Sequence, residues 1–195
     1  VKSGAVRGIA GLVGCNNPRI RHDYGHLALV KELIAQDILV VNTGCNAIAC
    51  AKAGLLRPEA AELAGPGLRA VCQAVGIPPV LHMGSCVDIS RILVACAAIA
   101  NALGVDISDL PVAGAAPEWM SEKAVSIGAY VVSSGILTVL GVAPPVLGGP
   151  AVTELLTVGA EGVIGARFAV EPDPHKAAEL IVQHIAAKRA ALGLV

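Results

Sequence analysis

Residues 80–88 read VLHMGSCVD, a short apolar run that stops at Gly-Ser-Cys and leads into a helical pattern. Two earlier segments repeat this form, VGCN at 13–16 and VNTGCN at 41–46. In each of the three segments a glycine-containing turn ends a β-branched run and carries a cysteine. Three cysteines at the same position of three successive strand–turn–helix units predict that Cys15, Cys45 and Cys86 meet a shared ligand.

Apolar runs alternate with helical patterns along the whole chain. The predicted strands lie near residues 5–14, 38–41, 80–83, 111–115, 137–140 and 163–170. The predicted helices include residues 24–36, 47–53, 68–75, 89–103, 117–132, 152–157 and 174–190. Such alternation predicts an α/β fold, a Rossmann-like three-layer sandwich with a mostly parallel sheet of about six strands.

The strand-to-helix turns of such a sheet emerge at its carboxyl edge, where ligands bind. We therefore expect the three turn cysteines and the turn at 116–118 on one side of the protein. We also expect Asp88 to cap the helix at 89–103. That helix is expected to be largely buried, because most of its positions are apolar.

The composition restricts the classes of protein. A chain of 195 residues is long enough for one substantial domain, and we expect residues 1–195 to form a single one. The hydrophobic fraction is 55%, yet no run approaches the roughly 20 apolar residues of a membrane span. A net charge of −1 and very few aromatic residues argue against nucleic acid as a partner. The chain starts at Val1 without an initiator Met or a signal peptide, so we expect it to be a piece of a longer protein. Cysteines in helical patterns rather than in loops favour a reduced, cytoplasmic protein.

The turn cysteines favour iron–sulfur chemistry. A thiolate at a helix N-terminus is stabilised by the free amides there, and thiolate is the form that binds metal. Three converging thiolates suit an iron–sulfur cluster, whereas structural zinc sites usually contain Cys-x-x-Cys pairs, which this chain lacks. The alternative is that all three are unreactive, half-buried side chains. Cys50, Cys72 and Cys96 lie in helical patterns and are expected in the core, with a place at the same edge as Cys45 as the alternative for Cys50.

Four other side chains are candidates for supporting roles. Lys123 lies early in the helix after the fourth strand, where it can act as an acid or stabilise an anion. On spacing alone, a solvated surface lysine is the favoured interpretation. His82 is expected to be a hydrogen-bonded histidine near the core. His22 and His26 are expected at the surface, with a place behind the Cys15 turn as the alternative.

Four motifs in order resemble the C-terminal Rossmann-like domain of nickel-containing anaerobic carbon monoxide dehydrogenase. They are GCNNP at 14–18, TGCNA at 43–47, LHMGSCVD at 81–88 and APEWMSEKA at 116–124. The resemblance extends over essentially the full chain. It implies reversible oxidation of CO with water to CO2, two protons and two electrons at a nickel–iron–sulfur cluster called cluster C.

The resemblance also implies roles for particular residues. Cys15 and Cys45 correspond to ligands of iron sites in the cluster, and Cys86 to the nickel ligand. Lys123 is similar to the lysine that stabilises the carboxylate formed from CO and assists proton transfer. The family's other cluster ligands, a histidine and two cysteines, come from a preceding domain. This chain is therefore expected to be the C-terminal domain of a longer enzyme and to carry only part of the site.

The implied partners follow from the family. They are the N-terminal domains that carry further 4Fe-4S clusters, a second copy in a homodimer, and a ferredoxin-type electron acceptor. Association with acetyl-CoA synthase is left open. Two alternatives to this function are a hybrid-cluster (prismane) protein that reduces hydroxylamine or nitrogen oxides, and a non-catalytic α/β scaffold domain.

Overall fold

A computed structural model describes residues 1–144 and 148–194, apart from the side chains of 122–125. The predicted role of Lys123 depends on a side chain that lies outside this description. Six strands form one sheet in the order β3-β2-β1-β4-β5-β6, and all neighbouring strands are parallel. The strands are β1 Gly8–Leu12, β2 Ile38–Thr43, β3 Val80–Gly84, β4 Val112–Ala116, β5 Thr138–Leu140 and β6 Phe168–Val170.

Helices follow the strands and cover the sheet. The α-helices are α1 Tyr24–Ala35, α2 Gly44–Lys52, α3 Pro66–Val75, α4 Ser90–Leu103, α5 Glu122–Ser133, α6 Pro150–Glu154, α7 Glu161–Ile164 and α8 Pro174–Ala191. In the described ranges, 3-10 helices lie at Pro58–Leu63 and Ile107–Asp109, and a π-helix at Leu155–Gly159. The strand order is that of a doubly wound dinucleotide-binding sheet. The predicted α/β fold with a parallel six-stranded sheet is confirmed.

The two faces of the sheet carry separate hydrophobic clusters. Along β2, Ile38 and Val40 point into a cluster built with α1, α3 and α8. Val41 points to the opposite face, into a cluster with α4 and α5. This alternation is the period of two expected of a strand covered on both faces, and it makes the protein three layers thick. None of the helices described here is long and apolar enough to cross a membrane.

The structure corrects two expectations about α4. The helix is only half buried, since Val94 is 69% exposed while Ile92 and Cys96 lie in the core. Small and aliphatic residues around the whole helix therefore did not indicate burial on all sides. Asp88 does not cap it, because its carboxylate accepts hydrogen bonds from the backbone N–H and hydroxyl of Ser85.

Two predicted boundaries were also wrong. The helix after β4 begins at Glu122 rather than Pro117, because Glu118 and Trp119 form a turn bonded to the loop after β1. The last predicted strand, 163–170, contains the end of α7 as well as β6. The helix ends at Gly165, whose φ of 71° is the left-handed conformation typical of a C-cap.

Candidate metal centre

The three turn cysteines lie at the carboxyl edge of neighbouring strands. Cys15 follows β1, Cys45 follows β2 and Cys86 follows β3. All three line one cavity of about 200 Å³. The remaining wall residues are Val13, Gly14, Thr43, Ile89, Ser121 and Ile127. The predicted convergence of the three turns on one side is therefore confirmed.

The backbone around each cysteine is different. Cys15 lies in an extended loop before α1, and Cys86 lies in a turn four residues before α4 begins. Cys45 alone among them occupies the first turn of a helix, α2. The position at a helix N-terminus, which we expected for all three cysteines, is found only for Cys45.

Glycines let two of these turns pack closely. Gly44 has a φ of 61°, and a Cβ on it would lie 3.0 Å from the Cβ of Cys86. Gly84 has a φ of 131°, and a Cβ there would come within 2.6 Å of the Asp88 side chain. A side chain at either position would push the Cys86 turn away from its neighbours.

Asp88 stabilises the turn that carries Cys86. Its Oδ2 atom accepts from Ser85 N at 2.7 Å and from Ser85 Oγ at 2.9 Å. The backbone hydrogen bond from Ser85 is the main cause of a lowered pKa for the Asp88 carboxyl. Arg91 lies 3.5 Å away, one helical turn on. The Gly-Ser-Cys-Val-Asp sequence thus forms a closed loop through its own last residue.

A buried polar network lies behind Cys15 and Cys45. His26 is fully buried, and the expectation that it would be exposed was wrong. Its Nε2 atom lies 2.8 Å from the carbonyl oxygen of Cys15, and its Nδ1 atom lies 3.0 Å from Nδ2 of Asn46. Burial is the main cause of a lowered pKa for the His26 imidazole. The alternative place behind the Cys15 turn is the observed one.

Glu118 is a buried carboxylate that sequence reasoning missed. It is 0% exposed and lies in the turn after β4. Its oxygens accept from the backbone N–H groups of Asp23 at 3.3 Å, Gly25 at 2.9 Å and His26 at 3.4 Å. Asn16, next to Cys15, donates a further bond at 3.4 Å. A Pro-Glu pair before a helix is typical of an exposed first turn, so nothing in the local pattern indicated burial.

The other candidate side chains differ in burial. Cys50, Cys72 and Cys96 are buried thiols, as expected, and burial raises the pKa of Cys50 to about 12. All six cysteines are thiols rather than disulfides. His82 is exposed rather than near the core, and its ring hydrogen-bonds the carbonyl oxygen of Gly84 at 2.9 Å.

Lys123 lies in the first turn of α5, after the turn that ends β4. The residue that precedes this helix, Ser121, lines the cysteine cavity. The hydroxyl oxygen of Ser121 is 3.8 Å from the sulfur of Cys15. The backbone at the start of α5 thus lies at the same sheet edge as the three thiols.

The donor set fits a cluster better than one ion. Among the described side chains, no three His, Cys, Asp or Glu residues are placed to hold a single metal ion. The three thiols instead surround a cavity, which leaves room for several metal and sulfur atoms between them. Cysteine thiolates are the usual ligands of iron–sulfur clusters, so the residues present fit such a group.

Comparisons with known proteins agree on one family. The model of the Prismane/CO dehydrogenase family matches residues 1–175. Carbon monoxide dehydrogenase 1 of Methanosarcina acetivorans is 73% identical over 194 residues, which cover 100% of this chain and 31% of that protein. The carbon monoxide dehydrogenase of Methanocaldococcus jannaschii is 45% identical, again over 100% of this chain and 31% of its own length.

Solved structures give the same result. A nickel-free crystal structure of carbon monoxide dehydrogenase from Thermococcus sp. AM4 superposes with a TM-score of 0.96 at 61% identity, covering 98% of this chain and 30% of that one. A structure of acetyl-CoA synthase/carbon monoxide dehydrogenase with NiZn[Fe4S4] and NiNi[Fe4S4] clusters in its alpha subunits has a TM-score of 0.94 at 41% identity, with 98% and 30% coverage. This chain, which spans about a third of the length of these relatives, belongs to the Prismane/CO dehydrogenase family.

Proposed function

We propose that this chain supplies part of the catalytic site of a carbon monoxide dehydrogenase, which oxidises CO reversibly with water to CO2, two protons and two electrons. The observation that carries the proposal is the position of Cys15, Cys45 and Cys86 around one cavity at the carboxyl edge. The 73% identity to a curated carbon monoxide dehydrogenase over the whole chain supports the same reaction.

We infer that Cys15 and Cys45 hold iron and that Cys86 holds nickel. A nickel–iron–sulfur cluster bound there supplies the redox centre that takes up the two electrons. The protein side of the cavity is largely apolar, since Val13, Ile89 and Ile127 form part of its wall. Apolar walls strengthen the electrostatic interactions inside the site.

Lys123 is assigned proton transfer and stabilisation of negative charge. Its helix begins at the carboxyl edge, directly after the segment that contributes Ser121 to the cavity. An ammonium group near that cavity can stabilise negative charge that develops as CO is converted to CO2, and it can exchange protons with the water that reacts.

The rest of the enzyme is part of the same proposal. Residues 1–195 form one domain, and the remaining cluster ligands come from other parts of a longer chain, because the matched relatives are about three times as long. Preceding domains with further 4Fe-4S clusters, a homodimeric assembly and a ferredoxin-type acceptor complete the electron path. Acetyl-CoA synthase is a candidate partner, which the likeness to an acetyl-CoA synthase/carbon monoxide dehydrogenase supports.

Replacement of Cys86 tests the proposal in the longer enzyme. In Cys86→Ala, nickel content and CO-dependent viologen reduction should both fall to background, because the thiolate that holds nickel is gone. Cys72→Ala is the matched control, since Cys72 is a buried thiol in α3 and is not part of the cavity wall, and it should keep both properties. Wild-type nickel content and CO oxidation in Cys86→Ala would contradict the assignment.

Lys123→Ala separates chemistry from metal binding. Loss of a general acid should lower turnover about 10²- to 10⁴-fold while iron and nickel contents stay at wild-type values. Lys176→Ala, which removes an exposed lysine on α8, serves as the control with unchanged turnover. Full turnover in Lys123→Ala would remove this residue from the mechanism.

A second candidate function follows from the family description, which covers prismane as well as CO dehydrogenase proteins. A hybrid-cluster protein would reduce hydroxylamine and would contain no nickel. Nickel analysis of the purified longer enzyme, combined with parallel CO and hydroxylamine assays, decides between the two.

A further inference from the structure

His26 connects the two cysteine segments that lie on either side of it. Asn46 Nδ2 donates to His26 Nδ1 at 3.0 Å, so the ring proton is on Nε2, which donates to the Cys15 carbonyl oxygen at 2.8 Å. Asn46 is the residue directly after Cys45 in α2. One imidazole therefore spans the gap between the loop after β1 and the first turn of α2.

The connection lies wholly inside the protein. His26, Asn46 and Asn42 are each 0% exposed. Asn46 Oδ1 accepts from Asn42 Nδ2 at 3.1 Å and from the Cys50 thiol at 3.7 Å, which fixes the orientation of its amide. Buried polar side chains destabilise a fold unless they are hydrogen-bonded, and both ring nitrogens of His26 and both amide atoms of Asn46 have partners here. Aliphatic side chains fill the neighbouring core. The three polar side chains therefore contribute hydrogen bonds that orient the cysteine segments, rather than hydrophobic burial.

Glu118 holds the histidine from the other side. Its carboxylate accepts from the backbone N–H groups of Gly25 and His26, at the start of α1. Its Oε2 atom also lies 4.0 Å from the His26 Nε2 atom. The backbone of His26 is thus held by the loop that carries Glu118. Its two ring nitrogens are held by the segments that carry Cys15 and Cys45.

We propose that His26 is a positioning residue that sets the separation of the Cys15 and Cys45 segments, so that both thiols contact one cluster. This inference rests on the proposed function. The conservative replacement is glutamine, whose amide N–H can still donate to the Cys15 carbonyl. Leucine has similar volume and makes neither hydrogen bond.

The test compares His26→Leu, His26→Gln and the control His175→Gln in the longer enzyme. His175 is an exposed histidine on α8 that pairs with Glu32. Loss of the bridge should weaken iron binding about 10- to 100-fold in His26→Leu, the effect typical of groups that orient metal ligands, and iron should therefore pass faster to a chelator. The electron paramagnetic resonance spectrum of the cluster should shift as well. His26→Gln should restore most of the wild-type behaviour, and the control should match wild type.

Several outcomes would overturn the inference. One is wild-type iron release and an unchanged spectrum in His26→Leu. Another is a lower unfolding temperature with normal iron release per folded molecule, which would make His26 a core residue only. If His26→Leu does not accumulate, Asn46→Ala takes its place, because it removes the α2 side of the bridge. Iron release and the cluster spectrum of Asn46→Ala are then compared with wild type by the same criteria. Absence of a nickel–iron–sulfur cluster in the wild-type enzyme would instead refute the proposed function.

Discussion

At the scale of single residues, the carboxylate of Glu118 shows how much the loops at the carboxyl edge depend on one buried group. A carboxylate without solvent is strongly destabilising unless hydrogen bonds replace its hydration shell. Three backbone N–H groups and the amide of Asn16 do so here. Because the donors belong to the loop after β1 and the start of α1, Glu118 connects the segment of Cys15 with the segment that leads to Lys123.

We predict that Glu118→Gln destabilises the 195-residue chain. The amide keeps the volume but directs an N–H group at backbone donors, so the free energy of unfolding should fall by about 2–3 kcal/mol. Urea unfolding measures the difference. Glu179→Gln, at an exposed position of α8, should change stability by less than about 0.5 kcal/mol. Equal effects of the two substitutions would show that Glu118 is not essential to the loop contact.

At the scale of elements, two turns pack directly on each other. The turn from β2 into α2 contains Gly44, and the turn from β3 into α4 contains Cys86. The space for a Cβ on Gly44 is filled by Cys86, with its Cβ at 3.0 Å and its Cα at 3.3 Å. Glycine at this position thus determines how closely Cys86 approaches α2 and Cys45.

Gly44→Ala should therefore disturb the metal centre as well as the backbone. Gly54→Ala is a matched control, because Gly54 also has a positive φ, 76°, but nothing lies within 4 Å of its Cβ position. Both substitutions should lower the free energy of unfolding by about 1 kcal/mol through backbone strain. Gly44→Ala should in addition lower nickel and iron content per folded molecule, measured by elemental analysis. Full metal content in Gly44→Ala would show that the contact with Cys86 has no role in the site.

The elements also show how far sequence can predict this protein. Apolar periodicity predicts β2, α1 and α8, because each of these elements buries one face or both faces in a regular pattern. The apolar residues of segment 163–170 predict one strand, although Val163 is 83% exposed at the end of a short helix. In that segment glycines rather than apolar residues decide where the helix stops.

The site divides in the same way. Cys15, Cys45 and Cys86 could be placed together because parallel strands bring successive turns to one edge. His26 and Glu118 could not, because their burial results from packing between loops that are 92 residues apart in sequence. No local pattern records such a contact, and polar residues in turns are ordinarily exposed.

At the scale of the whole molecule, the order of the strands brings the site together. β1 lies between β2 and β4, where the sheet reverses its direction of growth, and the crevice at such a point is where α/β proteins bind ligands. The cavity walls come from the segments after β1, β2 and β3 and from the start of α5. The three thiols occupy one part of this edge. The chain spans 31% of the length of a relative that is 73% identical to it.

The central claim is that Cys15, Cys45 and Cys86 jointly bind a nickel–iron–sulfur cluster. Its most direct test is a crystal structure of the longer enzyme, prepared without oxygen, with anomalous diffraction recorded at the nickel and iron absorption edges. We predict iron peaks within bonding distance of the sulfurs of Cys15 and Cys45, and a nickel peak at the sulfur of Cys86. A cavity with no nickel or iron peak, or metals bound without these three sulfurs, would contradict the account.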